Sequence, residues 1–300
     1  MAASGLYGAP PRELAEPAVD AVQCSPLIPG AAAIEDLADG GLDAFVVYAP
    51  PGAVERRYVL AQALRALRPG GRIEALAPKD RGGSRLKREL EAFGCAPAET
   101  ARRHHRICLA VRPEAPEGLA AAIAEGGPRL HPGLGLWTQP GVFSWDRIDA
   151  GSALLLQRLP RLAGRGADLG AGLGVLAHAI LASEQVTSLT LVELDRRAVE
   201  AARRNVDDPR AAVLWADVRN LRLQDLDFVV MNPPFHDGGR EDRALGQAFI
   251  AAAAAALRKG GVCWLVANRH LPYEAALAEA FAAVRLVAET GGFKVYEARR

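Results

Sequence analysis

Asn232-Pro233-Pro234-Phe235 places an amide, two prolines and an aromatic ring within four positions. The Asn232 side-chain oxygen and the main-chain carbonyl near Pro233 can each accept a hydrogen from an exocyclic NH2. Phe235 can stack on the ring that carries that amine. A nitrogen held this way turns its lone pair toward an electrophile instead of delocalising it into the ring. Such a reaction runs on orientation and electrostatics, with no strong base and no metal. Alone, a Pro-Pro pair can equally do no more than end a strand. His236, next in the chain, is the histidine best placed to join such a site; the others read as surface or satisfied residues.

What positions these residues is the strand before them. Residues 227–231 are apolar and β-branched and read as a short buried strand. The prolines then force the backbone out of the ladder, so the amide and the ring fall at the carboxyl end of a strand. In open α/β sheets that edge binds ligands. Three earlier strand ends carry ligand-type residues. Residues 167–175 are a short strand entering a glycine turn, with a helix to about Ser183, and Gly170 and Gly172 let the backbone approach a ligand closely. A second strand, 188–193, ends in Glu193, which can bind both hydroxyls of a ribose. After a helix at 197–205, a third strand, 212–215, leads to Asp217, which can accept from an adenine amine. A nicotinamide site would share the first two features. However, Gly170, Gly172 and Gly174 are not spaced Gly-x-Gly-x-x-Gly, and no downstream His or Lys stands out for hydride chemistry. Ahead of this series, 139–144 reads as a loop and 149–159 as a helix.

The chain has 300 residues, half of them hydrophobic, which suggests two domains. Net charge is +1, so there is no global nucleic-acid signal. Lys79, Lys87, Lys259 and Lys294 are the only lysines, and the arginines are balanced by acids. Arg102-Arg103-His104-His105-Arg106 is the densest basic cluster; it is either a solvated strand edge or a phosphate contact, with a lean toward RNA. The cysteines, Cys24, Cys95, Cys108 and Cys263, have no paired metal-type spacing and read as reduced, mostly buried thiols. We expect no signal peptide, no membrane span and a cytoplasmic protein. The Ala-rich run at 251–257 is a good soluble helix.

The N-terminal half echoes the second. Residues 42–51, Leu-Asp-Ala-Phe-Val-Val-Tyr-Ala-Pro-Pro, match 226–234 with one extra residue. A helix (54–67 in the first half) and a Gly-Gly turn follow in each, at Gly70-Gly71 and Gly260-Gly261, then a strand, a loop and another helix. This reads as a duplication of the back half of one fold. The first copy has Ala49 in place of Asn232 and Gly52 in place of Phe235, so we expect it to be non-catalytic, packing against the second domain or holding substrate. Further expectations are a helix at 31–37, a strand at 72–77, Ser84 capping a helix that runs to Phe93, and a strand at 107–111. We expect domains at 1–115 and 136–300, joined by a Pro- and Gly-rich linker at 116–135.

Taken together, these residues resemble a class I S-adenosylmethionine-dependent methyltransferase. Asp168-Leu169-Gly170-Ala171-Gly172 resembles that family's first motif, Glu193 its ribose acid and Asp217 its adenine-region acid. Asn232-Pro233-Pro234-Phe235 resembles the amino-nitrogen methyltransferase motif. Pro140-Gly141-Val142-Phe143-Ser144 with Asp149 downstream, Asn232 to Gly238, Val266-Ala267-Asn268 with Leu271-Pro272-Tyr273, and Phe293-Lys294-Val295-Tyr296 are similar to the bacterial 16S ribosomal RNA guanine-N2 methyltransferases. Arg269-His270 is similar to the related large-subunit guanine enzyme. The resemblance implies a duplicated α/β fold. The catalytic sheet would be Rossmann-like, seven-stranded and mostly parallel, with its last pair antiparallel and a degenerate N-terminal copy ahead of it. It implies methyl transfer from S-adenosyl-L-methionine to the N2 amine of a guanine in ribosomal RNA or the small ribosomal subunit, by a monomer. The cofactor would be held by Phe143, Asp168, Gly170, Gly172, Glu193, Asp217 and Asn232. Two other readings stand beside it. One is a protein glutamine N5 methyltransferase, which uses the same motif, usually with Tyr. The other is an RNA-binding ribosome assembly factor without turnover. Phe235 and the duplicated half argue against the first, and the intact motif against the second.

Overall fold

A computed structural model describes residues 3–234, 236–237, 240–241 and 243–300, without the side chains of 236, 237, 240, 241 and 243. The chain divides into two compact units, Met1–Pro128 with Gln139–Gly141, and Arg129–Thr138 with Val142–Arg300.

The first unit contains β1 (Ser4–Tyr7), β2 (Val22–Gln23), β3 (Leu42–Tyr48), α1 (Ala53–Ala66), β4 (Leu67–Pro78), α2 (Ser84–Glu91), β5 (Ala98–Arg102), β6 (His105–Val111) and α3 (Leu119–Gly126). Its six-stranded sheet has the order β2-β1-β3-β4-β6-β5. The first four strands are parallel, and β6 runs against both β4 and β5. Buried Leu60, Leu64 and Leu67 pack with Phe45, Val47 and Ile73 in its core.

The second unit contains β7 (Arg129–His131), β8 (Leu136–Thr138), α4 (Ala150–Arg158), β9 (Gly164–Leu169), α5 (Val175–Leu181), β10 (Val186–Glu193), α6 (Arg196–Asn205), β11 (Ala211–Trp215), β12 (Leu226–Met231), β13 (His236–Asp237), β14 (Arg240–Glu241), α7 (Arg243–Ala256), β15 (Leu257–Asn268), α8 (Glu274–Ala280), β16 (Ala283–Thr290) and β17 (Phe293–Arg299). Its seven-stranded sheet has the order β11-β10-β9-β12-β15-β17-β16, with β17 antiparallel to both neighbours. The period-2 alternation of β12 explains why it is apolar throughout. Phe228 and Val230 enter the cluster formed with Leu155, Leu176 and Ile180, while Val229 and Met231 enter the opposite one with Ile250 and Leu277.

The two sheets share order and strand direction once β11 is set aside. The repeat therefore extends beyond the back half read from sequence. Strands β1 and β2 hold the places of β9 and β10, but they span only four and two residues, too short to show a period. Other elements also differ from expectation. Only a 3-10 turn, Ile34–Asp36, forms within 31–37. Ser84 is the first residue of α2, not its cap, and its hydroxyl donates to the Lys79 carbonyl at 2.8 Å. The 116–135 stretch carries α3 and β7, because the Ala-rich run 119–125 forms a helix between its flanking Pro and Gly residues. All four cysteines are free and buried. Among the described residues no helix is long and apolar enough to cross a membrane, and no cluster of His, Cys, Asp or Glu could hold a metal ion.

Candidate active site

Within the second unit, four successive strand ends converge on a cavity of about 330 Å3. β9 delivers Gly170 and Gly172, β10 delivers Glu193, the turn after β11 delivers Asp217, and β12 delivers Asn232, Pro233 and Pro234. Phe143 lines the same cavity and is 64% exposed. Parallel strands bring their carboxyl ends to one edge, so residues far apart in sequence meet there.

The glycine turn begins with two N–H groups of β9's exit, Gly170 and Ala171, donating to the Val192 carbonyl at 2.8 and 3.1 Å. Gly172 adopts a left-handed φ of 53°, and a Cβ there would meet nothing within 4 Å. Its conformation thus requires glycine while its open side leaves room for a ligand. Gly174 is required for another reason, since a Cβ would lie 2.7 Å from Val206 Cγ2.

Glu193 is tied into this turn. Its Oε2 accepts from the Gly172 N–H at 2.8 Å, and its Oε1 from those of Leu194 and Asp195 at 2.7 and 2.9 Å. Of the ~4 acceptor positions on a carboxylate, about one stays open to a ligand hydroxyl. Burial raises the carboxyl above its ordinary range, and the backbone donors partly oppose that. Asp217 is held by the neighbouring Arg219, whose backbone and guanidinium donate to both carboxylate oxygens at 2.6–2.9 Å. Those bonds lower its pKa.

Asp168, unlike the other described residues predicted for the site, does not line the cavity. It is completely buried at the end of β9, and neither oxygen has a hydrogen-bond partner among the described residues. Desolvation, reinforced by the negative charge of Glu193, pushes its pKa up to about 8. A buried carboxyl without donors, beside a nearly saturated Glu193, is chemically suited to a ligand that brings hydrogen-bond donors.

Asn232 is fixed at one end only. Its Nδ2 donates to Asp149 Oδ2 and Ser152 Oγ, each at 2.8 Å, while Oδ1 is buried without a partner among the described residues. Asp149 is also the N-cap of α4, accepting from the Ser152 N–H at 2.8 Å. The sequence marks Asp149 as a helix start and as part of the family resemblance, without a link to Asn232, and gives no role to Ser152 or Arg219. The Asp-x-x-Ser spacing was the available signal. Phe235 and the side chain of His236 lie outside the described residues.

An open α/β sheet with a glycine turn, a ribose-type acid and an Asn-Pro-Pro turn at consecutive strand ends defines a Rossmann-like methyltransferase. The methyltransferase small domain family matches residues 133–297. The chain belongs to that family and, within it, to the ribosomal RNA small subunit methyltransferases C. It is 34% identical to the Pseudomonas paraeruginosa member over 267 residues, 87% of this chain and 80% of that protein. It is 31% identical to the Shewanella loihica member over 264 residues, 86% and 77% of the two chains. A T. thermophilus 16S rRNA N2 methyltransferase, solved in complex with AdoMet and guanosine, superposes with a TM-score of 0.74 at 30% identity, covering 90% of this chain and 76% of that one.

Proposed function

We propose that this chain transfers a methyl group from S-adenosyl-L-methionine to the exocyclic N2 amine of a guanine in 16S ribosomal RNA, in the cytoplasm. The observation that carries this reading is the Asn232 amide, whose NH2 end is engaged by Asp149 and Ser152 while its buried oxygen has no partner among the described residues. An unpaired buried acceptor costs stability unless a ligand donor meets it, and an exocyclic amine is such a donor. Asn232 Oδ1 and the Pro233 carbonyl take the two amine hydrogens, which holds the nitrogen lone pair out of the ring plane; Pro234 fixes the turn and Phe235 stacks on the base. The base must leave any stack to reach this edge.

The cofactor supplies an electrophilic sulfonium methyl. Phe143, Gly170 and Gly172 would shape its bed, Glu193 would take a ribose hydroxyl and Asp217 the adenine amine, while Asp168, outside the cavity lining, would act through the glycine turn that it precedes. The nucleophilic nitrogen gains the methyl, the carbon–sulfur bond breaks toward sulfur, and the surplus nitrogen proton leaves to water. The first unit, which has no Asn at the matching turn, acts as a non-catalytic copy.

The test is methyl transfer from labelled cofactor to small-subunit rRNA, followed by mapping of the modified nucleotide. Label at a guanine N2 is the expected result. Label in a protein fraction instead, or none in either, overturns the proposal.

A further inference from the structure

We propose that Asp149 and Ser152 form a clamp that selects one of the two flip states of the Asn232 amide, so that an acceptor oxygen and not an NH2 faces the substrate amine. The inference rests on the acceptor role assigned to Asn232 above. A side-chain amide is almost the same shape either way round, and only its partners decide which end points where. Here both N–H bonds of Nδ2 are used, one on Asp149 Oδ2 and one on Ser152 Oγ. An ionised carboxylate accepts and cannot donate. Flipped, the amide would set its own oxygen against Asp149 Oδ2 and lose that bond; the Ser152 hydroxyl can donate or accept, so Asp149 makes the choice and Ser152 holds the end it selects. The NH2 turned the other way would offer donors to an amine that itself needs acceptors.

The clamp is well supported. Asp149 Oδ2 is shared between the Asn232 NH2 and the Ser152 N–H, so the helix cap and the clamp use one oxygen. Both clamp residues belong to the first turn of α4, the cap and a residue three positions on. Gly151 between them is buried, and a Cβ there would lie 3.0 Å from that same oxygen. Asp149 and Ser152 touch no reacting atom in this reading; they are positioning residues that act through Asn232.

Capping alone and clamping make different predictions. Serine caps a helix about as well as aspartate, but its shorter side chain does not extend to Asn232. In the full chain, Asp149→Ser should keep Tm and cofactor affinity close to wild type while single-turnover methyl transfer falls ~10–100-fold. Asp149→Asn can set its own amide oxygen where Oδ2 stands and should retain the rate within ~3-fold. Ser152→Ala, which removes one of two acceptors and leaves the fold untouched, should lose rate ~3–10-fold with unchanged cofactor affinity. Asn232→Ala is run in parallel. If Asp149→Ser and Ser152→Ala both turn over like wild type while Asn232→Ala is inactive, the clamp is wrong and the acceptor role stands. If Asn232→Ala itself transfers methyl normally, both fall together.

Discussion

The carboxyl edges of the two sheets start from the same backbone turn and end differently. After β3 the chain reads Ala49-Pro50-Pro51; after β12 it reads Asn232-Pro233-Pro234. In the first unit the Pro50 and Pro51 carbonyls accept from Arg56 Nη1 at 3.3 and 2.7 Å. The Arg56 guanidinium also makes a two-pronged pair with Glu89 at 2.8 and 2.7 Å, and the residue is 2% exposed. In the second unit no such cation intervenes at the described residues of the turn, and the Asn232 oxygen keeps an unmet need. The opposite edges show no such divergence. Asp43 accepts from the Ala3 N–H and from Arg68 Nε, at 3.0 and 2.6 Å; Asp227 accepts from the Arg165 N–H and from Arg258 Nε, at 2.7 and 2.6 Å. The Gly70 N–H donates to the Arg112 carbonyl as that of Gly260 donates to Arg300. The lesson is that one scaffold carries either a self-satisfied edge or an open one, and the choice rests on a few polar side chains.

The comparison can be broken most severely at Asn232. Asn232→Ala gives the second edge the residue of the first, and turnover should fall ~100–1,000-fold with cofactor affinity nearly kept. Parallel loss of cofactor binding by calorimetry would remove the distinction between acceptor and cofactor roles. Next in size is the first unit's ion pair. Arg56→Ala strands a partly buried Glu89 carboxylate, 13% exposed, and should destabilise by ~2 kcal/mol in urea unfolding, whereas Arg56→Met with Glu89→Leu should cost far less. Equal losses would mean that the pair does not close that edge.

Glu193→Ala should weaken cofactor binding ~10–100-fold, the worth of a hydrogen bond to a charged group. Unchanged affinity would sink the ribose assignment. Asp168 tests the same edge through pH. Its folded pKa of about 8 lies above the ordinary 3.8, so the native state binds the proton more tightly than the unfolded chain does. Stability from this group is complete below about pH 4 and is lost as pH rises toward 8. Asp168→Asn should therefore raise Tm by ~10 °C at pH 8.5, by less at pH 5 and hardly at all at pH 4; a pH-independent shift would count against a buried neutral carboxyl. Smallest of all are the repeated surface pairs. Arg68→Ala and Arg258→Ala should each move Tm by less than ~2 °C, because both arginines are half exposed, at 56% and 53%. A large loss in one unit only would show that the scaffold repeat is not energetically equivalent.

The four strands that lead to the site were legible because their closing residues are mostly apolar and are followed by a residue that breaks the pattern. Residues 227–231 read as a strand and form Leu226–Met231, and 212–215 forms Ala211–Trp215. The site was legible for a related reason: Gly172, Glu193, Asp217 and Asn232 each sit where a pattern stops. The first sheet was read only in part, since β1 and β2 are too short for periodicity and no glycine-turn helix follows β1.

By itself, the amino-acid order determined which residues stand at strand ends, because side-chain alternation and proline are local properties of the chain. Tertiary structure alone decided how those residues are used. The pairing of Asn232 with Asp149, the filling of the first edge by Arg56 and Glu89, and the burial of Asp168 all join positions distant in sequence. Hydrogen bonding and desolvation depend on what lies within a few ångströms, and folding, not adjacency in the chain, sets that distance.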